Sequence, residues 1–416
     1  MMIKNVLNSG SFSPMKEKEF KYFIYSRFLY VMALRMVGTI VAYKLFQLTQ
    51  SSLAIGLVGL AEFLPVFSLA LYAGHVIDLS DKRTLLLKAI IAYSCCVVLL
   101  IVATSSWMAG KLSTKYLELF FYFIIFLTGI IRAFAGPTSN AIIAQLVPRD
   151  ILHHAAQLSS STFLGASILG HASAGFFIAW FGTNTSFYFI LAYILIAAFF
   201  ISRIEKKPKL VAKVAGKTWA SVKEGLHYVY NNKILLGAIT LDLFAVLFGG
   251  AVALLPEFAD KILKVGPIGF GWLNASLDIG SVIMIILLTL FPMQKNQGRI
   301  LFFVVGGFGI CILLFGISEF FWLSFLALLI AGMFDGVSII IRSTILQLKT
   351  PDEMRGRVSS VNSMFINSSN ELGQFESGIT ARMFGAVPAV LFGGAMTLLV
   401  VIITWIKAPA LRKFEY

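Results

Sequence analysis

The chain has 416 residues, of which 58% are hydrophobic and 13% charged, with 38 Phe and a formal net charge of +14. A soluble core of this length could not hide so much apolar surface, so a water-soluble globular domain is excluded and a bilayer is the expected solvent. The basic residues fall in short loops between apolar runs, which argues against a nucleic-acid-binding patch and makes the charge a signal of membrane topology.

The apolar runs are each about 17 to 25 residues long, enough for a helix to cross roughly 30 Å of hydrocarbon. The alternating pattern of an outer-membrane barrel is absent. An all-α membrane protein with twelve transmembrane helices follows, with spans predicted near residues 21–47, 53–77, 84–108, 117–140, 154–182, 186–202, 234–258, 267–292, 299–317, 320–346, 358–381 and 386–406. Residues 1–20 hold lysines but no separate apolar core with a small-residue cleavage site, so the first helix is expected to stay in the mature protein. Twelve spans put both termini on one side. Taking that side as cytoplasmic collects most of the 34 Lys and Arg in cytoplasmic loops, as the positive-inside bias requires. A bacterial inner membrane is the expected location. Cys95, Cys96 and Cys311 lie inside apolar runs and read as packing residues, not as a disulfide framework or metal site.

The longest hydrophilic segment, Arg203 to Lys233, divides six spans from six and sets the expected organisation: a first bundle over 1–202, a linker over 203–233 and a second bundle over 234–416. Trp219, Val222, Leu226, Val229 and Tyr230 recur in the linker at helical spacing, which predicts a short amphipathic helix on the inner membrane face. The two halves echo each other. AIIAQLVPRD at Ala141–Asp150 resembles TILQLKTPDE at Thr344–Glu353, an alignment that places Arg132 opposite Asp335. Six-helix repeats of this kind are expected of a carrier with a central site.

An ionised side chain at bilayer depth costs about 2.5 to 3.5 kcal/mol or more, and persists where it faces protein, water or a partner. Such residues therefore map the interior: Arg35 and Lys44 in span 1, Glu62 in span 2, Arg132 in span 4, His171 in span 5, Asp242 in span 7, Asp278 in span 8, Asp335 and Arg342 in span 10, and Glu371 and Glu376 in span 11. Spans 3, 6, 9 and 12 carry no charge away from their ends and are expected to be lipid-facing supports. In span 11, Ser363, Asn367, Asn370, Gln374 and Ser377 form one continuous polar face beside Glu371. Interhelical hydrogen-bonding and substrate contact are both open roles for that face. Asp335 and Arg342 share a face but lie about 10 Å apart along the axis, so they are not expected to pair. Arg35 or Arg132 for Asp335, and Asp242 or Glu371 for Arg342, are the open partner choices. One buried carboxylate could instead bind and release a proton as its surroundings change, with Glu62, Asp242 and Glu371 the ranked candidates. Span 5 is dense in Gly, Ala and Ser, a surface for close helix approach, and its His171 reads as a hydrogen-bonded structural residue.

GHVIDLSDKR at Gly74–Arg83 resembles the signature loop of the major facilitator superfamily, with Gly74, Asp78, Lys82 and Arg83 on the pattern and Leu79 and Asp81 departing from it. LRMVGTIVAYKLFQLT (Leu34–Thr49), GLAEFLP (Gly59–Pro65), LDLFAVLFGGAVALLP (Leu241–Pro256) and TPDEMRGRVSSVNSMFINSSNELGQFESG (Thr350–Gly378) are similar to the drug and siderophore exporters of that superfamily. The resemblance implies two pseudo-symmetric six-helix bundles and alternating access. It implies a cavity lined by spans 1, 4, 7 and 10, which places Arg35, Arg132, Asp242, Asp335 and Arg342 on the cavity helices, and a cytoplasmic gating loop at Gly74, Asp78, Lys82 and Arg83. With the buried carboxylates Glu62 and Glu371 and the polar residues Asn367, Asn370 and Gln374 of span 11, these residues make up the expected substrate cavity or proton pathway. The antiporter motif of span 5 is altered, with His171 at a Pro position and Phe176 after Gly175, and the second-half signature loop keeps only Gly298 and Arg299.

The function expected is proton-coupled export of an amphipathic small molecule such as a drug, a siderophore or another metabolite. The expected partners are that substrate, protons and membrane lipid, without nucleic acid, for a chain acting as a monomer. A lysolipid translocator of the same fold and a non-transporting membrane sensor are the alternatives. No catalytic residue, metal or cofactor is expected, since no HExxH, GxSxG or P-loop pattern occurs and the five His fall at no ligand spacing.

Overall fold

Without water in the hydrocarbon layer, a spanning backbone must satisfy its own hydrogen bonds, and apolar runs of this length do so as helices. The computed structural model describes residues 10–206, 218–351 and 353–415, and within them the fold is all-α. The long helices are α1 (Lys18–Thr49), α2 (Ser52–Leu79), α3 (Lys82–Thr104), α4 (Thr114–Ala141), α5 and α6 within Leu152–Ser202, α7 (Lys233–Gly249), α8 (Gly266–Leu290), α9 (Gln297–Ile317), α10 (Phe321–Lys349), α11 (Arg355–Phe384) and α12 (Ala386–Lys407). They match the expected spans to within a few residues at most ends. The join between α5 and α6 is a single non-helical residue, Gly182, at φ 75°, a backbone conformation open to glycine without steric cost. The chain divides into two compact units, Met1–Val41 with Leu64–Val214, and Ala42–Phe63 with Ala215–Tyr416.

Local chemistry sets the helix ends. Asp81, which departs from the signature pattern, is the N-cap of α3, where its carboxylate accepts hydrogen bonds from the Thr84 backbone N–H at 3.1 Å and from the Thr84 hydroxyl. Asn232 caps α7 by accepting from the N–H groups of Ile234 and Leu235. The expected linker helix is Thr218–Asn231. Val229 is buried and Leu226 and Tyr230 are exposed, while Tyr228 donates to the Lys349 carbonyl at 2.7 Å and Glu224 pairs with Arg357 at 2.7 Å. Residues 207–217, with Lys207, Lys209, Lys213 and Lys217, lie outside the described residues, as do the side chains of Trp219 and Val222.

Span 7 departs from the single helix expected over 234–258. It breaks at Gly249–Gly250, and the chain continues as short turns over Ala251–Leu254, Leu255–Glu257 and Phe258–Ile262. Glycine notches hold the broken segment: Gly373 of α11 sits against the backbone of Val246 and Leu247, and Gly393 of α12 against the Phe248 carbonyl. Close backbone approach through small residues is a main source of helix association in a bilayer. The tightest example joins α8 to α10. A Cβ on Gly280 would collide with the Leu329 carbonyl oxygen, one on Gly332 with the Leu277 carbonyl oxygen, and Ser281 donates to the Gly332 carbonyl at 2.9 Å.

This contact makes a stability prediction. Gly332→Ala should destabilise the protein by about 1 to 3 kcal/mol through overpacking, read as a lower Tm in detergent. Gly306→Ala, whose nearest neighbour atom is 4.0 Å away, should leave Tm unchanged or raise it slightly. Equal Tm values for the two variants would contradict the packing account.

Candidate functional site

The second unit contains the main charged cluster. Arg342 of α10 pairs with Asp242 of α7 and lies 3.7 Å from the Asp335 carboxylate on its own helix. Its Nε donates to the Ser338 hydroxyl at 3.0 Å and to the Ser338 carbonyl at 3.3 Å. The Asp242 and Arg342 side chains are only 9% and 13% exposed, whereas Asp335 is 38% exposed. The pairing corrects the expectation that Asp335 and Arg342 are too far apart: axial rise measures Cα separation, and the arginine side chain reaches back along its own face. Of the partners left open for Arg342, the structure selects Asp242. With both carboxylates ionised, the three side chains carry a net charge of −1, and Asp278 of α8 is within electrostatic range of Asp335. The group can therefore take up a cation or a proton.

The polar stripe of α11 divides along its length. Ser363, Asn367 and Asn370 are exposed, and the Asn370 amide donates to its own helix at the Ile366 carbonyl. Further along, Ser377 is buried and donates to the Gly250 carbonyl at the break in α7, at 3.1 Å. Glu371 is 9% exposed and accepts from the Gln374 amide at 3.4 Å. The hairpin Ala42–Phe63 clasps this part of α11: a Cβ on Gly59 would lie 2.6 Å from the Glu371 carbonyl oxygen, and one on Gly56 would lie 3.0 Å from Gly378 Cα. Ser52 donates to Glu257 beyond the α7 break, and Lys261 pairs with Glu257 while lying 5.1 Å from the centre of the Phe46 ring. Glu62, half-buried, follows Gly59 by one turn. Glue and open surface thus occupy different ends of one stripe.

In the first unit, Arg35 lies over the Phe163 ring at 5.5 Å, where Gly170 of α5 meets the Met32 carbonyl and Arg35 Cβ of α1. The Thr39 hydroxyl is 2.8 Å from His171 Nδ1, which gives that histidine a structural hydrogen bond between α1 and α5. Arg132 lies within electrostatic range of the buried Tyr30. In the signature loop, Lys82 is buried and Arg83 donates to the carbonyls of Ser202 and Ile204 at 2.6 and 3.0 Å, closing the end of α6. Asp78 and Gly74 are exposed. Arg27 was not among the expected interior charges. It donates to the Ser139 hydroxyl at 2.7 Å, the Ser159 carbonyl at 3.2 Å and the Asn140 side-chain oxygen at 3.4 Å.

Residues 9–416 match the family described as transmembrane secretion effector, within the major facilitator superfamily. The chain belongs to that family. It is 25% identical over 262 residues to the BacE protein of Bacillus subtilis (strain 168), named as a proposed bacilysin exporter, a match covering 60% of this chain and 65% of that one. The corresponding protein of Bacillus amyloliquefaciens is 24% identical over 245 residues, covering 58% and 61%. The chain thus spans less than two thirds of the relatives it matches. Crystal structures of the nucleoside transporter NupG and of a D-xylose-proton symporter share the fold, each with a TM-score of 0.73, at 13% and 14% identity. They cover 95% and 96% of this chain and 100% and 99% of their own. The twelve helices are therefore those of a major facilitator protein, and the family consists of membrane transport proteins.

Removing one partner of a buried pair leaves the other charge uncompensated, at a cost of about 3 to 5 kcal/mol. Arg342→Gln should lower stability by that order in detergent unfolding, and adding Asp242→Asn should recover part of the loss. Strictly additive losses in the double variant would contradict a direct pair.

Proposed function

We propose that this chain is a proton-coupled exporter of amphipathic small molecules, working by alternating access in the bacterial inner membrane as a monomer with both termini cytoplasmic. Its six-helix bundles, 1–202 and 234–416, are joined by the cytoplasmic linker 203–233. The observation that carries this reading is the sharing of Arg342 between Asp242 and Asp335. A major facilitator protein coupled to protons needs a carboxylate whose affinity for a proton changes as its surroundings alternate, and a neighbouring cation that binds it in one state and leaves it in another is such a device. Asp242 is the carrier in this reading. Asp335, more open, is the route by which water reaches it, and Glu62 lies within, and Glu371 beside, the hairpin that must move for access to alternate. The exposed part of α11, with Asn367 and Asn370, offers hydrogen bonds to cargo, and Gln374 belongs to the clasp. The gating loop uses Gly74, Asp78, Lys82 and Arg83. Family membership and the export role proposed for BacE support the outward direction.

Cells lacking the chain should retain, or become more sensitive to, at least one amphipathic compound. A proton gradient imposed on proteoliposomes should drive flux of that compound. Asp242→Asn should abolish gradient-driven flux while exchange at equal concentrations persists. Full gradient-driven flux in Asp242→Asn, or no compound affected by loss of the chain, would overturn the reading.

A further inference from the structure

Within the first unit, Arg27 has no carboxylate partner among the described residues. Arg27 is half-buried, and its hydrogen bonds go to neutral acceptors on α4 and α5: the Ser139 hydroxyl, the Asn140 side-chain oxygen and the Ser159 carbonyl. Among the described residues no carboxylate pairs with it, and the sequence outside the described residues of this unit, 1–9 and 207–214, contains no Asp or Glu. A guanidinium in such a place is stabilised by neutral acceptors but keeps its full positive field.

A second feature points the same way. The Arg27 guanidinium carbon lies 5.8 Å from the centre of the Phe163 ring, and that of Arg35, two turns along the same helix, lies 5.5 Å from the same centre. Two cations of α1 thus converge on one aromatic ring of α5. Cation–π attraction holds each of them there. The Asn140 side chain, exposed beside Arg27, leaves the approach open. The arrangement combines an apolar aromatic surface with a guanidinium whose acceptors are all neutral, a combination that recognises an aromatic or amphipathic molecule carrying a carboxylate or phosphate.

We infer that Arg27, with Phe163 and Arg35, forms a recognition site for an anionic group on an apolar cargo molecule. The site deepens the export reading and rests on it, but it is tested by binding at equilibrium, without flux. Loss of anion preference and loss of proton-driven transport are therefore separable results.

The test uses the purified full-length chain in detergent, titrated calorimetrically with 1-naphthoate, 1-naphthyl phosphate and the neutral 1-naphthalenemethanol at constant ionic strength. The anions should bind at least about tenfold more tightly than the alcohol, the size expected of one charge-assisted contact. Arg27→Gln should remove that preference and leave the alcohol unchanged, and Arg27→Lys should keep part of it. If Arg27→Gln fails to fold, Phe163→Leu, which leaves the Arg27 hydrogen bonds in place, should weaken all three ligands. Equal binding of anion and alcohol by the unaltered protein, or an intact preference in Arg27→Gln, would overturn the proposal, as would unchanged affinities in Phe163→Leu. Phosphatidylglycerol added to the detergent separates the two sources of anion. Naphthoate affinity unaffected by the lipid supports a cargo site, and complete displacement by the lipid would overturn it in favour of headgroup binding.

Discussion

A guanidinium inside a membrane protein must find partners for its donors where water and lipid offer few, and Arg342 finds them in Asp242, Asp335 and Ser338. Much of the second unit serves to keep that arrangement in place. The pair joins α7 to α10, so both helices must hold their register. The glycine notches of α11 and α12 press against the backbone of α7 at Val246 to Phe248, between one and two turns beyond Asp242. On the other side, Gly280 and Gly332 lock α8 to α10. Small residues therefore set backbone distances, and those distances determine which charges meet.

The break in α7 at Gly249–Gly250 belongs to the same design. It frees the Gly250 carbonyl, and Ser377 of α11 donates to it. Irregular backbone at membrane depth is tolerated where protein satisfies its polar groups, and here the satisfying group comes from the polar stripe. Beyond the break, Glu257 accepts from Ser52 and pairs with Lys261. The hairpin of α1 and α2 is held against the same unit by hydrogen bonds and glycine contacts, interactions of modest individual energy.

Much of this was legible in the sequence. Helix number and length follow from apolar runs, and the charge-free spans and the polar face of span 11 follow from periodicity. Asp242 appeared among the possible partners of Arg342. Three features were not legible. The contact between Arg342 and Asp335 was dismissed because Cα spacing ignores the reach of a long side chain. Arg27 carries no periodicity signal in the sequence, and only the positions of Ser139, Asn140 and Ser159 show that it turns inward. The sequence marks Asp81 only as a departure from the signature pattern, and the structure gives it the work of an N-cap.

The account turns on a proton exchanging within the group that Arg342 shares. Infrared difference spectra of the reconstituted protein between acidic and neutral pH measure this most directly, through the C=O stretch of a protonated carboxyl group. The account predicts such a band in the unaltered protein, its loss in Asp242→Asn and its displacement in Arg342→Gln. A band that persists unchanged in both variants would place the proton elsewhere and contradict the central claim.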